Sequence, residues 1–310
     1  MVDRLQKQKR KELSRLKRFQ IRKWFDDIHS SNISSCSLDY MIDKIISILG
    51  QTTIPIATNR LYRCRPLKES DVAPKNLSDL LHPPVIYTNE GRCNILGKPA
   101  LYVSDNANAL VKECHLSVGQ KFCLLQFDHL PNLNSDLSCI LLGVGPGHAL
   151  PHESSMKQVK EFWINFYGKE YNKYQEIESG LHKAFIRDNG NDSMIYKFTS
   201  LLCEKYFNNT DLDAIFYPSI ANNGAWHNYA IRPNAINKAY RPSKVVMCEL
   251  TKDNVIAWLD GAKISSNNDI LWGKDVFLDH PVPIAISPVD LNNPDIYIHP
   301  FKNTHASSVI

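Results

Sequence analysis

Eight polar residues stand beside expected strand ends or Gly/Pro turns, the places where a fold builds binding sites: Arg63, Arg65, Arg92, Asn94, Tyr102, Glu113, Ser219 and Asn228. Arginine forks suit oxyanions, because two parallel hydrogen bonds fix orientation as well as charge. A carboxylate such as Glu113 can stabilise positive charge that develops during a reaction. Taken singly, each residue is ambiguous. Glu113 lies late in an expected helix between Val111 and Cys114, where an ordinary exposed position would read the same way.

Other patterns carry less chemistry. Gly143, Gly145 and Gly147 suggest a phosphate loop, but Pro146 removes an amide and neither Lys-Ser/Thr nor GxGxxG completion follows, so turn chemistry is expected. His148 and His152 are four residues apart with Pro151 between them, which does not fit a helical zinc site. Cys114 with His115, and Cys123 with His129, also lack zinc spacing. No metal site is expected.

The elements that must position the eight residues follow from periodicity. Residues 3–29 contain no Gly or Pro, and Ile21, Trp24, Phe25 and Ile28 mark one helical face. One helix is expected there, docked by Trp24 and Phe25, with Lys7 to Arg18 in solvent. A second helix over 37–49 has an apolar stripe from Leu38 to Leu49 and stops at Gly50. Strands are expected at 60–65, 100–104, 121–127, 213–220, 244–250, 254–258 and 283–287. A helix over 105–115 is expected to be capped by Ser104 or Asp105, and residues 155–207 read as helical with a turn at 188–192. Strands and helices mix without regular βαβ alternation, so the fold class is α+β.

The chain of 310 residues, 43% hydrophobic and 22% charged, is long enough to bury a substantial core. Its net charge of +4 is uneven. Residues 1–23 hold ten Lys or Arg against Asp3 and Glu12, a net of +8, which leaves −4 for the body. Nucleic acid is therefore expected as a partner only through residues 1–23. Eight scattered cysteines without a CxxC pair fit buried thiols rather than a disulfide framework. No apolar run approaches the roughly 18–20 residues of a membrane span, and the first residues lack the apolar region of a secretory signal. A cytoplasmic protein is expected.

The order of the motifs adds a further reading. LYRCR at 61–65, GRCN at 91–94, GKPALYVS at 97–104 with Glu113 beyond, YPS at 217–219 and HNYAIRPN at 227–234 together resemble the RES-domain family over about residues 60–250. That family includes NAD-destroying toxins of toxin–antitoxin pairs. By resemblance, Arg63, Glu113 and Ser219 match the family's Arg, Glu and Ser, Arg92 and Asn94 its Gly-Arg-aromatic-Asn loop, and Tyr102 its strand-end tyrosine. Glu90 stands where a second glycine is common, and Cys93 replaces an aromatic residue.

The resemblance implies an ADP-ribosyltransferase-like core of two facing β-sheets with surrounding helices. Residues 1–50 would form an N-terminal helical extension, and residues 51–310 the catalytic domain, with a helical insertion at about 155–207 and a C-terminal extension. It further implies cleavage of the nicotinamide–ribose bond of NAD+, which acts as substrate, with phosphate or water as acceptor and no cofactor. Arg63, Glu113 and Ser219 would be catalytic. Arg65, Arg92, Asn94, Tyr102 and Asn228 would bind NAD, the two asparagines by orienting loops. A helix-turn-helix antitoxin would be the protein partner, and a homo-oligomer stays open. Two alternatives remain: an ADP-ribosyltransferase acting on protein or nucleic acid, and a non-catalytic module binding through the basic first helix.

Overall fold

The computed structural model describes residues 2–49, 53–56, 58–130, 136–144, 153–187, 193–209, 211–220, 227–252 and 256–273. The expected strand at 283–287, the 188–192 turn, His148 and His152 lie outside them.

The chain opens with three helices, α1 (Val2–Ser14), α2 (Arg18–His29) and α3 (Ser35–Leu49). Strands β1 (Ile54–Pro55), β2 (Arg60–Pro66) and β3 (Leu101–Ser104) follow, then α4 (Ala107–Glu113), β4 (Lys121–His129) and β5 (Ser138–Leu141). Helices α5 (Glu153–Tyr167), α6 (Tyr171–Ile186) and α7 (Ser193–Asn209) form the expected helical stretch. The order closes with β6 (Ala214–Pro218), β7 (His227–Ile231), β8 (Tyr240–Leu250), β9 (Ile256–Ile264) and β10 (Ile270–Trp272). The protein is α+β, as the mixed patterning predicts.

The strands form one hydrogen-bonded sheet in the order β1-β5-β6-β7-β3-β2-β4-β8-β9-β10. Its middle is nearly parted. β2 pairs with β4 over all seven of its residues and β3 with β7 over all four, but β2 and β3 share the single register pair Tyr62–Ser104. A five-strand half therefore lies on each side of a seam.

Burial follows the two-residue period of the strands. Leu101, Val103, Phe216 and Tyr229 from one half share a core with Leu61, Leu125, Phe127 and Val245 from the other. The opposite face carries two separate cores. Six helices, α1–α3 and α5–α7, pack on the β5–β6–β7 side around Ile140, Ile215 and Ala230. Helix α4 covers Tyr62, Cys64, Phe122 and Leu124 through Leu110 and Val111. The gap between these two helical covers lies over the seam.

The N-terminal expectation needs correction. The chain breaks at Arg15–Lys17 into two helices, and α1 packs against the body instead of projecting from it. Leu13 is fully buried and Lys9 is buried. The Lys9 Nζ donates to Ser47 O and Ile48 O at 3.1 and 3.4 Å, while Arg10 donates to Phe166 O at 2.7 Å and to Asn165 O at 2.6 Å. These carbonyls end α3 and α5, where orphan acceptors and the helix dipole both favour a cation. On α2, Arg18 and Arg22 both pair with Glu176 of α6. Gly180 of α6 lies where a Cβ would collide with the Phe25 ring of α2, so α2 and α6 can approach closely. Much of the basic charge thus fastens the helices together, which periodicity alone does not reveal.

Smaller shifts occur at helix starts. α4 is capped by Asn106, whose side chain accepts from Asn108 N at 2.8 Å, while the Ser104 hydroxyl lies one step earlier, accepting from Asn106 N at 3.3 Å and donating to His227 O at 2.6 Å. α3 starts at Ser35, two residues early, and Ser34 Oγ accepts from Ser37 N.

Candidate active site

A cavity of about 340 Å³ opens beside the seam, between the two helical covers. Arg63 and Cys64 line it from β2, Tyr102 and Val103 from β3, and Leu110, Glu113, Cys114 and His115 from α4 and its end. Glu90, Gly91 and Arg92 contribute from the loop before β3, Tyr196 from α7, and Tyr217, Ile220 and Asn228 from the β6–β7 side. The volume falls within the range of about 300–1,000 Å³ usual for small-molecule sites.

Glu113 is the last residue of α4. Its Oε1 accepts from the Ser219 hydroxyl and, at 2.7 Å, from the Ile220 amide. Those donors come from the end of β6, so the carboxylate is held from across the sheet. Ser219 is fully buried and is not among the residues lining the cavity. It acts on the site by fixing Glu113.

Arg63 crosses the seam. Its Nε donates to Leu80 O at 2.8 Å and its Nη1 to Tyr102 O at 3.1 Å, so a β2 side chain bonds β3 main chain where the ladder is thinnest. Burial pushes its guanidinium below the usual arginine value. Arg65 lies two residues along the same strand, exposed and outside the cavity lining.

The loop around Arg92 is locked from within. The Tyr102 hydroxyl accepts from Cys93 N at 2.8 Å and donates to Asn94 Oδ1 at 2.7 Å. Asn94 Nδ2 donates to Asn89 O at 2.8 Å and to Ile95 O at 3.2 Å. Gly91 is required there: an added Cβ would sit 2.5 Å from Asn94 Oδ1 and 3.0 Å from the Tyr102 hydroxyl. Asn94 thus orients the loop, and Tyr102 lines the cavity while its hydroxyl fastens the loop.

Arg92 is turned to another task as well. Its Nη1 donates to Ala184 O and Phe185 O, and its Nη2 to Arg187 O at 3.2 Å, so it caps the C-terminal end of α6. It also lies 5.4 Å from the centroid of the Tyr196 ring. Through Arg92 and Tyr196, the helical stretch from α5 to α7 becomes a wall of the cavity.

Asn228 brings a buried donor to the cavity. It is 3% exposed and lines the cavity, and its Nδ2 has no hydrogen-bond partner among the described residues. An unpaired buried donor costs about 1–3 kcal/mol, a cost a bound acceptor would relieve.

The structure therefore brings Arg63, Glu113, Arg92, Tyr102 and Asn228 to one cavity, places Ser219 and Asn94 behind it, and leaves Arg65 outside. Sequence reasoning missed several lining residues. Tyr217 and Cys114 are neighbours of chosen residues and were legible in principle; Tyr196 carried no local signal. Among the described residues, no group of three or more His, Cys, Asp or Glu could hold a metal ion. No helix of the described residues is long and apolar enough to cross a membrane.

No family model matches the chain. Over 129 residues it is 26% identical to the probable chromosome-partitioning protein ParB of Rickettsia felis, an alignment covering 39% of this chain and 41% of that protein. The chain thus matches well under half the length of that relative, and a likeness of this extent assigns no family.

Proposed function

We propose that the protein consumes NAD+ by cleaving the bond between nicotinamide and ribose, with phosphate or water as acceptor. The carrying observation is the Glu113 carboxylate, held by Ser219 and Ile220 at the wall of a cavity that Arg63 and Arg92 also line. Nicotinamide leaves a cationic ring as a neutral molecule, so the departure needs no strong general acid. Positive charge develops on the ribose, and a fixed carboxylate stabilises it without reorganising at the moment of reaction. Tyr102 and Tyr217 give the cavity aromatic surface on which a planar ring can stack. Asn228 supplies a donor for a carbonyl or hydroxyl oxygen.

The two arginines set the electrostatics. Their bonds to carbonyls hold them in place, and their charge favours the pyrophosphate end of a dinucleotide. A nearly parted sheet with the site at its seam supports an ADP-ribosyltransferase-like arrangement as the finer description of the fold. In this reading the protein is a cytoplasmic toxin, and a cognate helix-turn-helix antitoxin restrains it.

The test is incubation of the purified protein with NAD+, with and without phosphate, followed by chromatography. Release of nicotinamide is expected, and the partner product identifies the acceptor. Glu113→Gln should abolish release in a protein that stays folded. Absence of nicotinamide release by the folded wild-type protein overturns the proposal, and a labelled macromolecule formed from labelled NAD+ redirects it to ADP-ribosyl transfer.

A further inference from the structure

We propose that Glu90 is a second catalytic carboxylate of the cavity, the base that takes the proton of an attacking water, and that it makes water rather than phosphate the acceptor. The inference rests on the NAD+-cleaving reading of the cavity and narrows its acceptor.

Glu90 lines the cavity from the loop before β3, and its Oε1 accepts from the Ser200 hydroxyl at 2.8 Å. Ser200 lies on α7 one turn after the lining residue Tyr196 and is fully buried. A hydroxyl closed to solvent thus fixes a carboxylate that is itself exposed. Glu113 is held in the same manner, with one oxygen on the hydroxyl of the fully buried Ser219. The second oxygen of each carboxylate has no hydrogen-bond partner among the described residues. Glu90 is tied to α7, in one helical cover, and Glu113 belongs to α4, which forms the other. The cavity between the covers therefore receives a carboxylate from each side.

Hydrolysis of a glycosidic bond uses two such groups, one facing the positive charge on the sugar and one taking the proton of the nucleophile. Glu113 does the first and Glu90 the second. The bond between nicotinamide and ribose breaks with its electron pair passing to the ring nitrogen, so nicotinamide leaves neutral. A lone pair of water forms the new C–O bond at the same ribose carbon, and the water proton passes to the second oxygen of Glu90. The exposed carboxyl then yields that proton to solvent. In sum, NAD+ and water become nicotinamide, ADP-ribose and one proton.

The same carboxylate disfavours phosphate. Arg63 already gives its Nε and Nη1, and Arg92 its Nη1 and Nη2, to main-chain carbonyls. With substrate bound, their two positive charges are matched by its pyrophosphate. A second anion then meets the Glu90 charge without compensation, whereas water is neutral and brings the proton that Glu90 accepts.

The experiment incubates the full chain, as wild type, Glu90→Gln and Ser200→Ala, with NAD+ in phosphate-free buffer and again with inorganic phosphate. Chromatography quantifies nicotinamide, ADP-ribose and ADP-ribose 1″-phosphate, and thermal unfolding checks that each variant is folded. Wild type is expected to form ADP-ribose in both buffers. Glu90→Gln keeps an oxygen for Ser200 but takes up no proton. Its release of nicotinamide in phosphate-free buffer should fall on the order of 10²-fold, and phosphate should restore part of it as ADP-ribose 1″-phosphate. Ser200→Ala loosens Glu90 without removing it, and should give a smaller fall in kcat with KM nearly unchanged. ADP-ribose 1″-phosphate as the main wild-type product overturns the inference and leaves NAD+ cleavage standing, as does a folded Glu90→Gln variant with wild-type rate and product. Absence of nicotinamide release by the wild type overturns both.

Discussion

The Glu113 carboxylate and the Ser219 hydroxyl, 106 residues apart in the chain, are joined by a direct hydrogen bond, and the Ile220 amide binds the same oxygen at 2.7 Å. The end of a short helix is thereby tied to the end of a central strand, and the direction of the carboxylate is set by main chain as well as side chain.

Ser219→Ala removes one donor from a charged acceptor and leaves the amide. Loss of such a bond costs about 1.5–3 kcal/mol, readable as a lower urea midpoint. If Ser219 acts by positioning Glu113, turnover of NAD+ falls in kcat with KM nearly unchanged, and Ser219→Thr recovers part of it. A change confined to KM would place Ser219 against substrate instead.

Asn228→Ala removes a buried donor that has no partner among the described residues. Stability should hold or rise, whereas affinity for the ligand of the cavity should fall about tenfold, equivalent to about 1.4 kcal/mol. Calorimetric titration with NAD+ and thermal unfolding of the same variant check both halves. Destabilisation with unchanged affinity would make the side chain structural.

Leu13→Ala tests the docking of the first helix. Leu13 is fully buried, at 0% accessibility, and truncating such a side chain costs about 2–5 kcal/mol. Denaturant unfolding should show that loss in full. A stability equal to wild type would mean that α1 does not hold to the body.

Glu178 predicts a pH dependence. It is 5% exposed on α6, and burial raises its carboxyl from 4.5 to about 8 despite hydrogen bonds from Tyr174 and the Gly143 and Val144 amides. Between those values the folded chain keeps a proton that the unfolded chain releases. Folding stability therefore falls as pH rises through that window, at up to about 1.4 kcal/mol per pH unit, and the contribution is fully present below the unfolded value. Glu178→Gln should flatten this slope, measured as the difference in thermal midpoint between pH 5 and pH 8. An unchanged slope would assign the dependence to other groups.

Five of the residues that line the cavity, Arg63, Arg92, Tyr102, Glu113 and Asn228, were legible in the sequence as polar groups beside strand ends, whereas Tyr196 was not. The division of labour among the five was not legible. Whether Arg92 faces a ligand or caps α6 depends on where Ala184, Phe185 and Arg187 come to rest, more than ninety residues away. The same holds for Ser219, whose burial follows from its place at the end of a strand enclosed on both sides.

By itself the sequence determined the α+β class and most helices and strands, since periodicity and Gly/Pro punctuation act over a few neighbours. It left unmarked β1, β5, β7 and β10, short strands whose existence depends on partners rather than on their own pattern. It also suggested a solvated basic helix where tertiary contacts made a docked one, because Lys9 and Arg10 find the ends of α3 and α5 only after those helices assemble. The seam between β2 and β3, and the cavity beside it, were decided by the tertiary structure alone: they exist because two half-sheets pair over a single residue pair and the helices covering them stop short of one another.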